Sequence, residues 1–172
     1  MMEPLPAFRT SRLVVRPRTM ADLEACLAMD RDQAVTRFIV GPWTEPQAHR
    51  EFVAARIRHE YPAGMGYWSI MAPAFAGWIL LAPLDLRGPE IEIGWRLVRA
   101  AWGRGYATEA ARPVLAHALT TLGLREVVAD IDPDNAASIG VARKLGLRAA
   151  GPVPYAGRMV TRYVATRAGL AA

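Results

Sequence analysis

Apolar positions follow two different periods along the chain, and together these periods predict a mixed fold. Where apolar residues recur every three to four positions we expect helices, and where β-branched and aromatic residues alternate with polar ones we expect strands. The predicted strands cover residues 12–18, 67–71, 75–81, 90–98, 126–131, 148–153 and 158–166. The predicted helices cover residues 44–61, 106–122 and 136–145, preceded by one that begins at Thr19 or Ala21 and carries Leu23, Cys26, Leu27 and Met29 on one face.

The resulting order, βααβββαβαββ, indicates an α/β (α+β) fold whose antiparallel strands come first. Neither an internal repeat nor a long linker interrupts this order, so residues 1–172 are expected to form one domain. Two local signals refine the helices. Thr44 and Gln47 stand in the capping-box arrangement at the start of a helix. Pro113 lies inside a helical pattern, where it removes a hydrogen bond and is expected to bend the helix.

Composition adds a basic but dispersed charge. The net charge is +5, and Lys144 is the only lysine beside many arginines, a bias that suits an anionic ligand. The arginines are spread along the chain, which argues against a nucleic-acid-binding arm. No apolar run is long enough to span a membrane, and the first ten residues lack a signal-peptide core. The single cysteine, Cys26, cannot form an internal disulfide, so a cytoplasmic location is expected.

The stretch WGRGYATEAAR, residues 102–112, is the strongest candidate for a binding site. Two glycines end a loop and open an alanine-rich helix, whose exposed N–H groups and dipole suit phosphate oxygens. An ordinary tight turn is an equally good interpretation of the spacing alone. A P-loop is excluded because Tyr106 and Ala107 occupy the Lys-Ser/Thr places, and Thr108 replaces the third glycine of a dinucleotide fingerprint.

Two blocks of sequence resemble the GNAT N-acetyltransferase superfamily. The first is Glu92-Ile93-Gly94-Trp95 followed by Trp102-Gly103-Arg104-Gly105-Tyr106-Ala107-Thr108-Glu109-Ala110, which is similar to the acetyl-CoA motif of the RimJ/RimL type of ribosomal-protein N-terminal acetyltransferases. The second is Asn135-Ala136-Ala137-Ser138 followed by Arg143-Lys144-Leu145-Gly146-Leu147. The resemblance covers nearly the whole chain. It implies a mixed, mainly antiparallel central sheet that is split at a cofactor cleft and flanked by helices.

The same resemblance implies an acetyl-CoA-dependent N-acetyltransferase that moves acetyl directly to an amine, with no metal. Asn135 and Ser138 are then expected beside the pantetheine and thioester, and Arg143 at the 3′-phosphate of CoA. The backbone of Leu97 and Val98 is expected to pair with the pantetheine amides. The pyrophosphate cradle implied by the motif consists of Gly103, Arg104, Gly105, Tyr106, Ala107 and Thr108.

The chain also departs from the family pattern in its catalytic residues. Ala142 occupies the place of a tyrosine that serves many members as general acid, which leaves Ser138 as the candidate donor by elimination, unless the thiolate needs none. Glu92 is the candidate general base, since a carboxylate in a central strand lies in a covered cleft with a raised pKa. The alternative is that Glu92 pairs with Arg96 on a solvated face.

Other features have simpler explanations. Asp130, Asp132 and Asp134 suit a turn better than a metal site, and the three histidines are scattered. The acceptor is left open between a protein N-terminal α-amine and a small-molecule amine, and a homodimer is also left open. Two other classes compete with the enzyme: an acyl-CoA sensor without activity, and a basic RNA- or ribosome-binding module. Trp43, Tyr61, Tyr67 and Trp68 are aromatic residues that are expected in the core rather than in an acceptor pocket.

Overall fold

The computed structural model describes residues 5–170, and it contains eight strands and six α-helices in this part of the chain. No helix among these residues is both long enough and apolar enough to cross a membrane. The strands are β1 (Phe8–Arg9), β2 (Val14–Pro17), β3 (Gly66–Met71), β4 (Phe75–Pro83), β5 (Ile91–Leu97), β6 (Glu126–Ile131), β7 (Arg148–Tyr155) and β8 (Arg158–Thr166). The helices are α1 (Leu23–Asp30), α2 (Gln33–Thr36), α3 (Pro46–Arg58), α4 (Tyr106–Ala116), α5 (Ala136–Lys144) and α6 (Arg167–Leu170).

All strands belong to one sheet in the order β1-β2-β3-β4-β5-β6-β8-β7, and only β5 and β6 are parallel neighbours. Strand β4 pairs with β5 along its length, from Gly77–Leu97 to Pro83–Ile91. Strands β5 and β6, in contrast, are joined at the single pair Glu92–Val128 and diverge beyond it. This divergence confirms the predicted mixed, mainly antiparallel sheet that splits in the middle.

Each face of the sheet is buried by helices, because successive side chains of a strand point to opposite faces. On one face, α4 and α5 pack on a core that includes Ile79 and Ile93, both almost fully buried. On the other face, α1 and α3 cover a second core that contains Trp78, Leu80 and Leu27. Glu92 pairs with Ala82 of this second set and therefore lies on the α1/α3 face.

The start of the chain differs from its prediction. A 3₁₀ turn at Met20–Asp22 precedes α1, and a separate short helix, α2, follows at Asp32, whose side chain accepts a hydrogen bond from the Ala34 N–H at 3.0 Å. Strand β1 and helix α2 were not predicted, because elements of two and four residues show no period. The buried face predicted for α1 is confirmed.

Helix α3 begins later than its predicted capping box. Glu45 is the N-cap residue and Pro46 the first helical residue, so the prediction of Thr44 as the N-cap is wrong. Proline is well suited to this place because the N–H of a first helical residue has no helical partner. Gln47 turns outward instead and donates to the Glu51 carboxylate at 2.9 Å.

The helix predicted over residues 106–122, with a bend expected at Pro113, changes its type near its end. Helix α4 stops at Ala116 and continues as a π-helix over His117–Thr121, where the Leu122 N–H donates to the His117 carbonyl at 3.0 Å. Pro113 lies one turn before this change. Because proline cannot donate the usual helix hydrogen bond, a change of helix type nearby is the expected adjustment.

Gly77 allows β4 and β5 to lie close together at the end of β5, and substitution of Gly77 tests this contact. Its φ is +145°, and a Cβ there would lie 2.1 Å from the Arg96 carbonyl oxygen. We expect Gly77→Ala to lower the free energy of unfolding by roughly 2 kcal/mol or more, through strain and strand displacement. Gly140 lies inside α5 with open space at its Cβ, so Gly140→Ala should raise stability by up to about 1 kcal/mol. Urea denaturation measures both, and equal stabilities would contradict the prediction.

Candidate active site

A cavity of about 750 Å³ occupies the gap that opens where β5 and β6 diverge, between the end of β5 and helices α4 and α5. It is long enough to take an extended ligand, and most of its walls are apolar or backbone. The structure brings together here eight residues that the sequence analysis assigned to the cofactor: Leu97, Gly103, Gly105, Tyr106, Ala107, Thr108, Asn135 and Ser138.

The glycine turn at one end of this cavity is shaped for an anion. Gly103 and Gly105 have φ values of +70° and +76°, a conformation that glycine adopts without steric cost. Helix α4 starts at Tyr106, and the Glu109 N–H bonds back to the Gly105 carbonyl at 3.0 Å. The N–H groups of residues 106–108 precede the helix's own hydrogen bonds and carry its positive dipole end. A Cβ at Gly103 would project into open space, so the cradle has room for phosphate oxygens.

Glu109 fastens this turn to the beginning of the chain. Its carboxylate accepts hydrogen bonds from the Thr10 hydroxyl at 2.6 Å, from the Arg12 N–H at 3.0 Å and from Arg12 Nε at 2.7 Å. The Arg12 guanidinium also lies 4.8 Å from the centre of the Tyr106 ring. Sequence reasoning gave Glu109 no role, because its partners lie almost a hundred positions away along the chain.

The backbone at the end of β5 differs from the expectation for Val98. The Val98 N–H donates to the Ala76 carbonyl at 3.0 Å, and its own carbonyl accepts from the Ala101 N–H at 2.9 Å. Both groups are therefore used inside the protein, and Val98 is not free to pair with a ligand. Leu97 faces the other way by strand alternation; its carbonyl accepts from Trp102 Nε1 at 3.0 Å, and its N–H is left on the side of the cleft.

The assignment of Arg143 to the 3′-phosphate of CoA stays a prediction. Arg143 is exposed on α5 and is not among the residues that line the cavity. The next residue, Lys144, lines the cavity and also borders the outer side of the glycine turn near Thr108. The side chain of Arg104 is exposed and does not line the cleft either. Sequence reasoning gave no binding role to Lys144, although it is the only lysine in the chain.

A second cavity, of about 330 Å³, lies on the α1/α3 face and meets the first one. The two share Trp95, Asn135 and Ser138 as walls, so a group held in one can reach a group held in the other. We call the larger cavity the glycine-turn cleft and the smaller one the acceptor cavity. Glu92 lines the acceptor cavity.

Glu92 is a largely buried carboxyl group whose pKa is raised to about 7. Burial is the main cause, and the negative charges of Asp85 and Asp130 add to it. The alternative of an ion pair with Arg96 is wrong, because Arg96 Nη1 donates to Asp30 Oδ1 at 2.7 Å. Among residues 5–170, Glu92 forms no ion pair. It can therefore take up and release a proton near neutral pH.

Ser138 lies at the junction, where one neighbour contacts its hydroxyl and another its backbone N–H. Trp95 Nε1 donates to Ser138 Oγ at 3.3 Å, and Asn135 Oδ1 accepts from the Ser138 N–H at 3.1 Å as the N-cap of α5. Because its oxygen is already accepting, the hydroxyl proton is available for donation into the cleft. Ala142, at the place of the family tyrosine, is completely buried and offers no proton.

The remaining candidates have structural roles. Cys26 is buried, and burial raises the pKa of its thiol to about 11, so it is no nucleophile. Asp130 forms a two-point ion pair with Arg162, with both nitrogens at 2.8 Å, and Asp132 caps its turn by accepting from the Asp134 N–H. Within residues 5–170 no group of three His, Cys, Asp or Glu side chains is placed to hold a metal ion.

The aromatic residues divide between the core and the acceptor cavity. Trp68 is completely buried in the core, as predicted. Tyr67 is buried too, but one side of it borders the acceptor cavity, and Trp43 lines that cavity directly. The expectation that these aromatics only build the core is therefore wrong for Trp43 and incomplete for Tyr67.

Comparison with known proteins identifies the class. Residues 12–148 match the model of the acetyltransferase (GNAT) domain, and the chain belongs to this family. A curated relative, the FsC-acetyl coenzyme A-N(2)-transacetylase of Aspergillus fumigatus, is 31% identical over 152 residues, which are 83% of this chain and 65% of that protein. The chain thus spans less than two thirds of this relative, and 59% of a second one from Bacillus subtilis.

Solved structures show the same fold. An acetyltransferase from Agrobacterium tumefaciens is 28% identical and superposes with a TM-score of 0.77 over 97% of this chain and 98% of that one. RimL, a ribosomal alpha-N-protein acetyltransferase in complex with coenzyme A, is 20% identical and superposes with a TM-score of 0.75 over 95% of this chain and 98% of its own. At this identity the second comparison concerns the fold alone.

The raised pKa of Glu92 predicts a measurable dependence of stability on pH. The folded protein holds this proton up to about pH 7, whereas an unfolded glutamate releases it near 4.3, so unfolding becomes easier as the pH rises between these values. Glu92→Gln removes this effect. We expect its stability relative to the native chain to increase from pH 5 to pH 8 by on the order of 2 kcal/mol.

Urea denaturation at several pH values makes the measurement. Glu126→Gln, at an exposed position of β6, is the matched control and should follow the native chain at every pH. A stability difference for Glu92→Gln that is independent of pH would show that the carboxyl is ionised throughout this range.

Proposed function

We propose that this protein is an acetyl-CoA-dependent N-acetyltransferase that moves an acetyl group directly to an amine. The observation that carries the proposal is the position of Glu92, a largely buried carboxyl with a pKa of about 7, in a cavity that shares walls with the glycine-turn cleft. Family membership supports the reaction type, and the open cradle at Gly103 fits the diphosphate of CoA.

Glu92 acts on the acceptor. The amine must lose a proton to become a nucleophile, and the Glu92 carboxylate accepts that proton directly or through one water. Desolvation favours the transfer, since it has already brought the carboxyl to a pKa near neutral pH. The new carbon–nitrogen bond replaces the carbon–sulfur bond of the thioester, so the products are an acetamide and a thiol.

Ser138 and the helix terminus act on the donor. The glycine turn would hold the diphosphate, and the Leu97 N–H would face the chain that leads to the thioester. Ser138 would pass its hydroxyl proton to the departing sulfur while taking up the second proton that the attacking nitrogen loses. Acetyl-CoA supplies the activated acyl group. The chain's own contribution is to align amine and thioester, which is worth several kcal/mol of the barrier in well-oriented reactions.

The proposal extends to the branch, the acceptor and the location. The string of residues 102–110 supports placement near the RimJ/RimL type, and the acceptor is an amine of either a protein N-terminus or a small molecule. The single cysteine, buried and without an internal partner, suits a reducing cytoplasm.

Binding of acetyl-CoA is tested by thermal unfolding. At a concentration one hundred times Kd, bound ligand adds about 2.7 kcal/mol, a shift in Tm of roughly 5–10 °C for a chain of this length. NADH and ATP should give no comparable shift. Gly103→Ala places a methyl group in the cradle and should abolish most of the shift, because the group occupies the space of a phosphate oxygen.

The matched control is Gly157→Ala. Gly157 has a similar φ of +79° and equally open space at its Cβ, but it lies in the turn between β7 and β8, outside both cavities. It should keep the full shift. A Tm shift with NADH but not with acetyl-CoA would contradict the proposal that the protein binds acetyl-CoA. Salt-sensitive RNA binding, with no Tm shift for either compound, would indicate a nucleic-acid-binding module.

Turnover is tested by release of free thiol from acetyl-CoA with a panel of amines. We expect kcat to rise with pH through about 7, as Glu92 loses its proton. Glu92→Gln should lower kcat roughly 100- to 10,000-fold and remove this rise, while its Tm shift with acetyl-CoA stays intact. Glu126→Gln should retain native rates. A full Tm shift without thiol release for any amine would identify an acyl-CoA sensor instead.

A further inference from the structure

Arg18 lines the acceptor cavity and has two buried hydrogen-bond donors without a partner. It follows β2, and its N–H donates to the Tyr67 carbonyl at 2.9 Å. The guanidinium carbon lies 3.6 Å from the centre of the Tyr67 ring and 5.9 Å from that of Trp78. Its Nε and Nη2 are shielded from solvent and have no nitrogen or oxygen partner; the only group close enough to interact with them weakly is the Cys26 thiol. The Tyr67 ring covers one flat side of the guanidinium and interacts with its charge. Nε and Nη2, however, donate in the plane of the guanidinium, and each needs an acceptor there.

The carboxylates near Arg18 are committed elsewhere. Asp22 accepts from Arg16 Nη2 at 2.7 Å and from the Ser69 hydroxyl at 2.9 Å. Asp30 accepts from Arg96 at 2.7 Å and lies 3.2 Å from His49 Nε2.

The other acidic groups around Arg18 are neutral. Burial raises the pKa of the Cys26 thiol to about 11, and burial also raises the pKa of the Tyr67 hydroxyl. Neither supplies a negative charge at neutral pH. The guanidinium thus lacks a counter-ion of its own on the side of the cavity.

The geometry of the unpartnered donors selects the anion. Nε and Nη2 share one edge of the guanidinium, and this edge binds a carboxylate through two parallel hydrogen bonds. Arg162 shows the same arrangement within this molecule, since its Nε and Nη2 each lie 2.8 Å from the Asp130 carboxylate. Arg56, which lines the same cavity with its guanidinium 3.7 Å from the Phe52 ring, adds a second positive charge on this wall.

Arg18 follows β2 and Glu92 belongs to β5, so two strands of the sheet lie between their backbones. Arg18 bonds to Tyr67 of β3, Tyr67 pairs with Leu80 of β4, and Leu80 pairs with Gly94 of β5. Three strand spacings, roughly 14 Å between backbones, therefore lie between Arg18 and β5. On this backbone separation, an acceptor that reaches both groups needs several bonds between its amine and its acid.

We propose that the acceptor is a small amino-acid-type molecule whose amine and carboxylate are separated by several bonds, with the carboxylate bound by Arg18 and the amine directed to Glu92. A small turn of the guanidinium on the Tyr67 ring presents the Nε–Nη2 edge to the cavity. The proposal rests on the proposed function, because the amine is assigned to the acetyl transfer. It selects a free small molecule over a protein N-terminus, whose carboxylate lies far along its chain.

The test compares ω-amino acids with alkylamines of the same length. Thiol release is measured with glycine, 3-aminopropanoate, 4-aminobutanoate, 5-aminopentanoate and 6-aminohexanoate, and with the alkylamine that matches each. We expect the longer amino acids to exceed both glycine and their alkylamines by about 10- to 100-fold in kcat/KM, as for hydrogen bonds to a charged group. Alkylamines or short peptides used as well as the longer amino acids would overturn the proposal.

Two variants locate the recognition. Arg18→Met keeps an apolar stem on Tyr67 and should remove the advantage of the amino acids, with less than about a threefold change for the alkylamines. Arg125→Met, at an exposed position outside both cavities, should keep the advantage. An equal loss for both kinds of acceptor in Arg18→Met would mean that Arg18 only supports the fold, and would contradict the proposal.

A binding measurement separates this inference from the proposed function. N-acetyl-6-aminohexanoate and N-hexylacetamide are product-like compounds that bind without turnover, and their effect on Tm is measured in the presence of CoA. N-acetyl-6-aminohexanoate should raise the Tm of the native chain and N-hexylacetamide should not. Arg18→Met should abolish this difference. If this difference is present but no amine releases thiol, the transferase proposal fails while carboxylate recognition stands. If thiol is released but the difference is absent, only the inference fails.

Discussion

The site depends on the single point at which β5 and β6 are paired, between Glu92 and Val128. Strand β5 is paired with β4 along its whole length. With its other neighbour, β6, it shares only this one pair, and beyond it the two strands separate and leave a gap in the middle of the sheet. A gap in a sheet exposes N–H and C=O groups that ordinarily pair with a neighbouring strand. Those groups, together with the start of α4, are what make this gap a binding cleft rather than a defect.

Helix packing converts this gap into two connected spaces. Helices α4 and α5 cover one face and build the glycine-turn cleft, while α1 and α3 cover the other and enclose the acceptor cavity. Trp95 and Ser138, joined by a hydrogen bond across the divergence, belong to both. The donor and acceptor sides of the proposed reaction are therefore opposite faces of one sheet that meet only where the sheet is split.

Charge distribution in the acceptor cavity follows a clear division. Most buried charges are paired, as Asp22 is with Arg16 and Asp30 is with Arg96, which is the usual condition for charge in a protein interior. Glu92 and Arg18 are the exceptions. The first is isolated enough to be protonated near neutral pH, and the second has donors without acceptors. Unpaired buried groups cost stability, and the occurrence of both around one cavity is the basis of the proposed ligand recognition.

Much of the fold could be predicted from the chain, because long elements have a periodic pattern. The strands of the sheet's centre, the buried face of α1 and the helix after the glycines were all predicted from residue order. The errors concern short-range alternatives of similar energy. The N-cap of α3 is Glu45 rather than the predicted Thr44, and the helix that contains Pro113 continues as a π-helix from His117. Elements as short as β1 and α2 carry too few residues for a period to appear.

The candidate site shows the same boundary between what a sequence by itself determines and what tertiary structure decides. Sequence order alone determined the glycine turn, since positive φ at Gly103 and Gly105 and a helix beginning at Tyr106 are local properties. Tertiary structure decided that the Val98 N–H and carbonyl are hydrogen-bonded within the protein, that Lys144 rather than Arg143 lines the cleft, and that Arg18 and Glu92 line one cavity. These outcomes depend on strand register and helix rotation, which are set by packing among residues that lie far apart along the chain.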